Sequence, residues 1–155
     1  AEIVGIDITK SYLDVAKENS NSFDNISFIL DDAEKFKLDS KFDCITGSYL
    51  PKYCDPEILV KNCITHLKPG GKIIFHDFTY PKNLAARGSW NIFLTFLRLV
   101  GYFIPSWKDA LIGLPKLIRS TKWLDNYSDV MKKSGLKVNR QYLTYGTSAI
   151  LTGTK

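Results

Sequence analysis

Apolar and polar positions along this chain switch repeatedly between a two-residue and a helical period. Residues 2–6 (EIVGI) form a short β-branched run, and 11–18 (SYLDVAKE) carry apolar residues at helical spacing, so the chain opens as strand then helix. "NISFIL" at 25–30 and "KFDCITGSY" at 41–49 read as further strands. "PEILVKNCITHL" at 56–67 reads as a helix with Asp55 as its N-cap and Pro56 at its first position; it stops at "KPGG". "KIIFHDF" at 72–78 is the next buried strand. Beyond Pro81 the segment from 82 to 122 turns aromatic and basic, and Gly101, Pro105, Gly113 and Pro115 divide it into two or three short helices forming an insertion. "LDNYSDVMKKSG" is then an amphipathic helix stopped by Gly135. "LKVNRQYLT" and "TSAILTGTK", joined by "YG", predict an antiparallel hairpin. Alternating β and α elements with nearly all-apolar strands predict an α/β fold, a parallel sheet covered by helices on both faces.

Composition narrows the class. At 155 residues, 45% hydrophobic and 24% charged, the chain suits one globular domain over 1–155. Cys44, Cys54 and Cys63 are odd in number and form no C-x-x-C or Cys/His cluster, so neither a disulfide framework nor a metal site is expected. They read as reduced thiols of a cytoplasmic protein, in keeping with the lack of a leader pattern and of any apolar run near the ~20 residues that span a bilayer. The net charge of +5 is unevenly placed: Lys82, Arg87, Arg98, Lys108, Lys116, Arg119 and Lys122 are opposed over that stretch only by Asp109. Their aromatic and aliphatic company points to a peripheral membrane surface rather than nucleic acid.

Several strand ends carry candidate chemistry. Asp7 closes the first strand at the edge where open α/β sheets bind ligands, and its carboxylate suits ribose hydroxyls as well as it suits a helix cap. Tyr12, about one turn on, could lie against a purine or serve as an ordinary core or surface aromatic. Asp32 after "SFIL" can accept from an adenine amino group beside the small Ala33, or can cap a turn. Gly47 and Ser48 sit just past a strand end, where a small residue admits a ligand to the backbone. "LKPGGKIIFHDF" requires positive φ at one glycine and close packing at the other. His76 and Asp77 at that strand's exit could each handle a proton or hold structure. Between Trp90 and Ile104 apolar residues surround a single Arg98, suited to covering an apolar ligand, to dipping into an interface, or to packing as a buried helix.

Taken together, "GID" with "ITKSYLDVAKE", "ISFILDDAEKF", "KFDCITGSY", "HLKPGGKIIFHDF" and "KKSGLKVNRQYLTYGTSAILTGTK" resemble class I S-adenosylmethionine-dependent methyltransferases over nearly the whole chain. More narrowly, the chain is similar to the ubiquinone/menaquinone-biosynthesis C-methyltransferases, the UbiE/MenG group. The resemblance implies a Rossmann-like sheet with S-adenosylmethionine as cofactor. It places the ribose acid at Asp7 with Ile8 beside it, the adenine-packing residue at Tyr12, the adenine-binding pair at Asp32 and Ala33, and the methionine-side segment at Gly47 and Ser48. Where the quinone enzymes show Leu-Arg-Asn, this chain has "LPKYCD", which puts Lys52 and Tyr53 at the approximate places. The family's first strand and glycine-rich loop would precede Asp7, so the chain is expected to be the C-terminal portion of such an enzyme. That leaves facing edges on the strands at 2–6 and 41–49, to be closed by a separate N-terminal segment, by a strand from a second copy, or by direct pairing of the two.

The resulting expectation is methyl transfer to a small apolar acceptor, quinone-like or isoprenoid-tailed, at the carboxyl-side rim where Asp7, Asp32 and Gly47 gather. Carbon methylation also removes a proton, for which His76 and Asp77 are candidates with Lys52 or Tyr53 as helpers. The rivals are a nicotinamide-dependent oxidoreductase, against which "DDAEKF" and "GTSAILTGTK" argue, and an inactive domain that binds lipid or a partner.

Overall fold

The computed structural model describes residues 1–104 and 108–155, and all of their side chains except those of 108–110. The fold is mixed α/β, and the chain divides into two compact units, Ala1–Ser40 and Lys41–Lys155.

In the first unit, β1 (Ile3–Asp7) and β2 (Ile26–Leu30) run parallel in register from Ile3 opposite Ile26 to Asp7 opposite Leu30, linked through α1 (Lys10–Asn19). Parallel neighbours need a crossover, and the amphipathic "SYLDVAKE" supplies it. Only Leu13 and Phe36 are buried apolar residues here.

The second unit holds β3 (Phe42–Ser48), a 3-10 turn at Pro51–Tyr53, α2 (Pro56–Thr65) and β4 (Leu67–Phe78). It continues with α3 (Leu84–Phe103), α4 (Lys108–Ser120), α5 (Trp123–Lys133), β5 (Lys137–Leu143) and β6 (Ser148–Thr154). The sheet order is β3-β4-β6-β5, with β3 parallel to β4, and β6 antiparallel to both its neighbours. Ile73, Phe75, Ala149 and Leu151 of the two central strands are fully covered, beside Leu59, Val60 and Cys63 of α2 and Tyr127 and Met131 of α5. The Phe75 and Tyr127 rings meet edge to face at 5.2 Å, and the Tyr127 hydroxyl donates to Cys54 O at 3.2 Å. Among the described strands β1 bonds to β2 within the first unit, and β3 to β4 within the second.

Two expectations are corrected. "KPGG" is not a simple helix stop followed by a strand from 72: β4 begins at Leu67, opposite Phe42, and a register shift carries Cys44 opposite Lys72. Within that stretch Gly70 N donates to Lys155 O and Lys155 N to Gly71 O. Gly70 takes φ +76°, whereas a Cβ on Gly71 would lie 2.9 Å from the Leu67 side chain and from Lys68 O. Among the described residues the insertion folds as two helices, as expected in number, but they are not short. α3 runs 20 residues through Gly101, and α4 runs through Gly113 and Pro115. A helical glycine costs only about 1 kcal/mol, which packing overrides where Gly101 is buried. The expected break at Pro105 lies outside the described residues.

Candidate functional site

Both units end their parallel strands in the residues singled out above. In the first, β1 and β2 bring Asp7 and Asp32 to one sheet end, and Asp31 N donates to Asp7 O. The Asp7 carboxylate accepts from Thr9 N through Oδ1 at 2.7 Å, turning the chain into α1. Its Oδ2 makes no bond among the described residues. Beside it, Ile8 is 72% and Tyr12, in the first turn of α1, 68% exposed. Asp32 is more occupied: Oδ1 accepts from Glu34 N at 2.9 Å and Oδ2 pairs with Lys35 Nζ at 2.9 Å. The Glu34 N–H and then the Lys35 ammonium hold its carboxyl below the usual range. Ala33 follows, half-buried.

In the second unit the exits of β3 and β4 adjoin, with Ser48 opposite His76. Gly47 lies so close to Phe75 that an added Cβ would meet its ring at 3.2 Å, and Ser48 is exposed. The next residue, Tyr49, adopts φ +60° and donates its N–H to His76 O at 2.8 Å. This turn aims the chain into the 3-10 segment, whose Lys52 buries its side chain against Asp77: Nζ to Oδ1 is 2.8 Å, with the two side chains 2% and 0% exposed. Asp77 is further engaged, because Oδ1 also accepts from Phe78 N and Oδ2 from Lys52 N. Lys52 Nζ donates further to Tyr49 O at 2.8 Å and lies 4.6 Å from the centre of the Tyr53 ring. Removing one member of such a pair strands a buried charge, which makes it a strong positional lock whatever its net contribution.

Four sequence candidates, Lys52, Tyr53, His76 and Asp77, thus form one cluster. They differ in reach, for Lys52 and Asp77 are enclosed, Tyr53 is exposed, and His76 is half-buried with neither ring nitrogen bonded to a described residue.

Two features went unread in the sequence. Tyr49 is the hub of a row of rings: His76 to Tyr49 is 5.2 Å between centroids, Tyr49 to Phe78 5.1 Å, Phe78 to Trp90 5.7 Å and Trp90 to Phe93 5.3 Å. The row runs from the strand exit onto α3, and the Trp90 indole N–H within it is buried without a described partner. Its only sequence signal was a tyrosine directly after Gly-Ser at a strand end. Separately, a cavity of about 490 Å³ opens where α3 begins and α4 ends, lined by Tyr80, Lys82, Lys122, Trp123, Tyr142 and Tyr145 among others. The "YG" connection forms part of it. Among the described residues no three His, Cys, Asp or Glu groups gather as a metal site.

The comparisons with known proteins agree with this layout. A family described as "Methyltransferase domain" matches residues 1–107. The chain is 26% identical to a ubiquinone/menaquinone biosynthesis C-methyltransferase UbiE from Saccharophagus degradans, over 99% of this chain and 65% of that protein. It therefore spans a little under two thirds of the length of that relative. Among solved structures, a protein from Bordetella parapertussis described as a possible exported protein superposes with TM-score 0.73 at 16% identity, over 99% of this chain and 53% of its own. The N-methyltransferase NodS of Bradyrhizobium japonicum WM9, in complex with S-adenosyl-l-homocysteine, does so at 0.58 and 14%, over 99% and 66%.

Proposed function

The chain belongs to the methyltransferase-domain family, and on that premise we propose that its protein moves a methyl group from S-adenosylmethionine to a small apolar acceptor of quinone-like or isoprenoid-tailed type. One observation carries the cofactor reading: at the β1 exit Asp7 keeps Oδ2 unbonded next to the exposed Ile8 and Tyr12. A carboxylate oxygen beside an apolar plate is what an adenosine offers hydroxyls and a ring to.

The cofactor supplies an electrophilic methyl, so the work left to the chain is to hold, orient and exclude water. Asp7 Oδ2 would accept from a ribose hydroxyl, and Ile8 and Tyr12 would cover the purine. Asp32 can accept from the adenine amino group once the exposed Lys35 swings off Oδ2, and Ala33 leaves room beside it. Gly47 and Ser48 border the methionine side. For carbon methylation, His76 takes the proton, since Lys52 and Asp77 are enclosed in their pair while the His76 ring nitrogens are unbonded among the described residues. Lys52 and Asp77 are positioning residues, because their enclosed pair fixes Tyr49 through its carbonyl. Tyr53 remains free to donate to an acceptor oxygen. The row of rings supports an apolar acceptor, and the unpaired Trp90 N–H gives it a second donor. Among the described strands β1 and β3 each have a bonded neighbour on one side only, and either edge would take an added strand from a separate N-terminal segment or from a second copy.

Calorimetric titration of the protein with S-adenosylhomocysteine tests the cofactor. Asp7→Ala should weaken binding by on the order of 10- to 100-fold, the value of a hydrogen bond to a charged group. Binding of a nicotinamide dinucleotide instead, or none of either, overturns the reading. His76→Ala should lower kcat for a quinol acceptor by about a hundredfold or more while leaving that titration unchanged.

A further inference from the structure

α3 presents two opposite stripes. At about 100° per residue, Leu94 and Gly101 fall on one line and are buried, and half-buried Trp90 falls near that line. Ile92, Phe96, Leu99 and Phe103 fall on the line diametrically across, and they are 74%, 61%, 56% and 85% exposed. A shallow groove of about 400 Å³ beside Asn91, Ile92, Thr95, Phe96 and Leu99 deepens the stripe. Large apolar side chains at spacing four, three and four on the outside of a helix form a contiguous patch rather than scattered exposure.

The charge around that stripe decides what covers it. From Phe78 to Lys108 the sequence holds Lys82, Arg87, Arg98 and Lys108 and no acid at all. Arg98 stands exposed one residue round the helix from Leu99. On α4, which packs on α3, Lys116 and Arg119 are exposed as well. A second copy of this chain would bring cations against cations across the patch. An acidic lipid surface offers hydrocarbon to the stripe and phosphate to its cationic flanks, with Arg98 long enough to reach the headgroup level while Leu99 enters. No described helix is long and apolar enough to cross a membrane, so the helix lies on the surface.

We propose that the outer face of α3 docks the protein on the surface of an anionic bilayer, with Ile92, Phe96, Leu99 and Phe103 entering the acyl boundary and Arg98 at the headgroups. This goes beyond methyl transfer and does not depend on it. The row of rings gives the docking a use. Phe93, half-exposed on the flank of the stripe, is its outer end and His76 its inner end, so an apolar acceptor held in the bilayer would meet a continuous aromatic path to the strand exit.

Co-sedimentation of the protein with vesicles of phosphatidylcholine, and of phosphatidylcholine with about one third phosphatidylglycerol, tests it without any assay of catalysis. Binding should appear on the anionic vesicles and fall by on the order of tenfold when salt shortens the Debye length from about 10 Å to about 3 Å. F96E combined with L99E should reduce it by at least about tenfold, and R98Q by about fivefold. Because these side chains point outward, unchanged circular dichroism is expected, and the milder F96S with L99S repeats the test should the acidic pair disturb folding. Equal affinity for both vesicle types, no binding to the anionic ones, or binding indifferent to both pairs of substitutions overturns the proposal. So does a concentration-dependent dimer abolished by F96E, which would give the stripe to a second copy.

Discussion

The two compact units treat apolar sequence in opposite ways. In residues 1–40 the strands are as β-branched as any in the chain, yet Ile3 and Leu30 are about half-exposed and only Leu13 and Phe36 are covered. In residues 41–155 the same kind of residue disappears completely at Ile73, Phe75, Ala149 and Leu151. The difference is the number of layers available. A two-stranded sheet with one helix has little to bury itself against, whereas β4 and β6 have strands on both sides and α2 and α5 beside them. Local pattern makes a strand, but partners make a core. Equivalent substitutions in the two units should therefore differ in cost, and each pair below can break that contrast.

The largest difference is expected at the carboxylates. Asp77→Ala leaves the Lys52 ammonium enclosed without a counter-charge and should cost about 3–5 kcal/mol by urea unfolding. Asp32→Ala removes only the partner of the exposed Lys35 and should move the midpoint far less. Next comes a pH effect confined to the second unit. Burial pushes the Cys63 thiol from its ordinary value of 9.0 up to about 12. Between those values the folded chain holds a proton that the unfolded chain has lost, so stability falls as pH rises through the window. The slope is worth at most about 4 kcal/mol across it and should flatten in Cys63→Ala. Exposed Cys44 should meanwhile react with a thiol reagent in the native state while Cys63 waits for unfolding.

Glycines give a smaller contrast. Gly71→Ala forces a Cβ to within 2.9 Å of the enclosed Leu67 side chain and of a backbone carbonyl, and overpacking of this kind costs about 1–3 kcal/mol. Gly5→Ala meets the Phe28 ring at a nominally closer 2.8 Å. That ring is only half-buried and can turn aside, so the loss should stay under about 1 kcal/mol. Equal losses at the two positions would show that β1 and β2 are packed as firmly as β4.

What the sequence revealed follows the same line. The strands, α1, α2, α5 and the hairpin were legible because period and caps are local, and the Gly-Gly pair was legible because one glycine needs positive φ and the other needs space. Most candidate residues fell at or just past strand ends, as the alternation of β and α implies, whereas Tyr12 lies in α1 and Lys52 and Tyr53 in the 3-10 turn. The enclosed Lys52–Asp77 pair, the left-handed Tyr49 and the row of rings were not legible. Each joins residues from separate elements, and no spacing along the chain announces that a lysine will fold back under its own turn. α3 misled for a related reason, since glycine inside a helix is a cost that tertiary packing can outweigh at Gly101.

The smallest contrast concerns helix starts, where both units obey local rules and the difference should nearly vanish. Asp55 caps α2 by accepting from Glu57 N at 2.8 Å and Ile58 N at 3.1 Å, with Pro56 already holding the first helical φ. Asp55→Ala orphans those donors and should cost about 1 kcal/mol. α1 starts at Thr9 without a side-chain cap, its entry being held by Asp7 Oδ1 on Thr9 N. Thr9→Ala should then fall within about 0.5 kcal/mol of the parent, and Asp7→Asn, which keeps that acceptor oxygen, should do the same. A loss near 1 kcal/mol at Thr9 would mean that its hydroxyl caps the helix in solution. Asp7 would then not be needed for the turn, leaving both of its oxygens to a ligand rather than one.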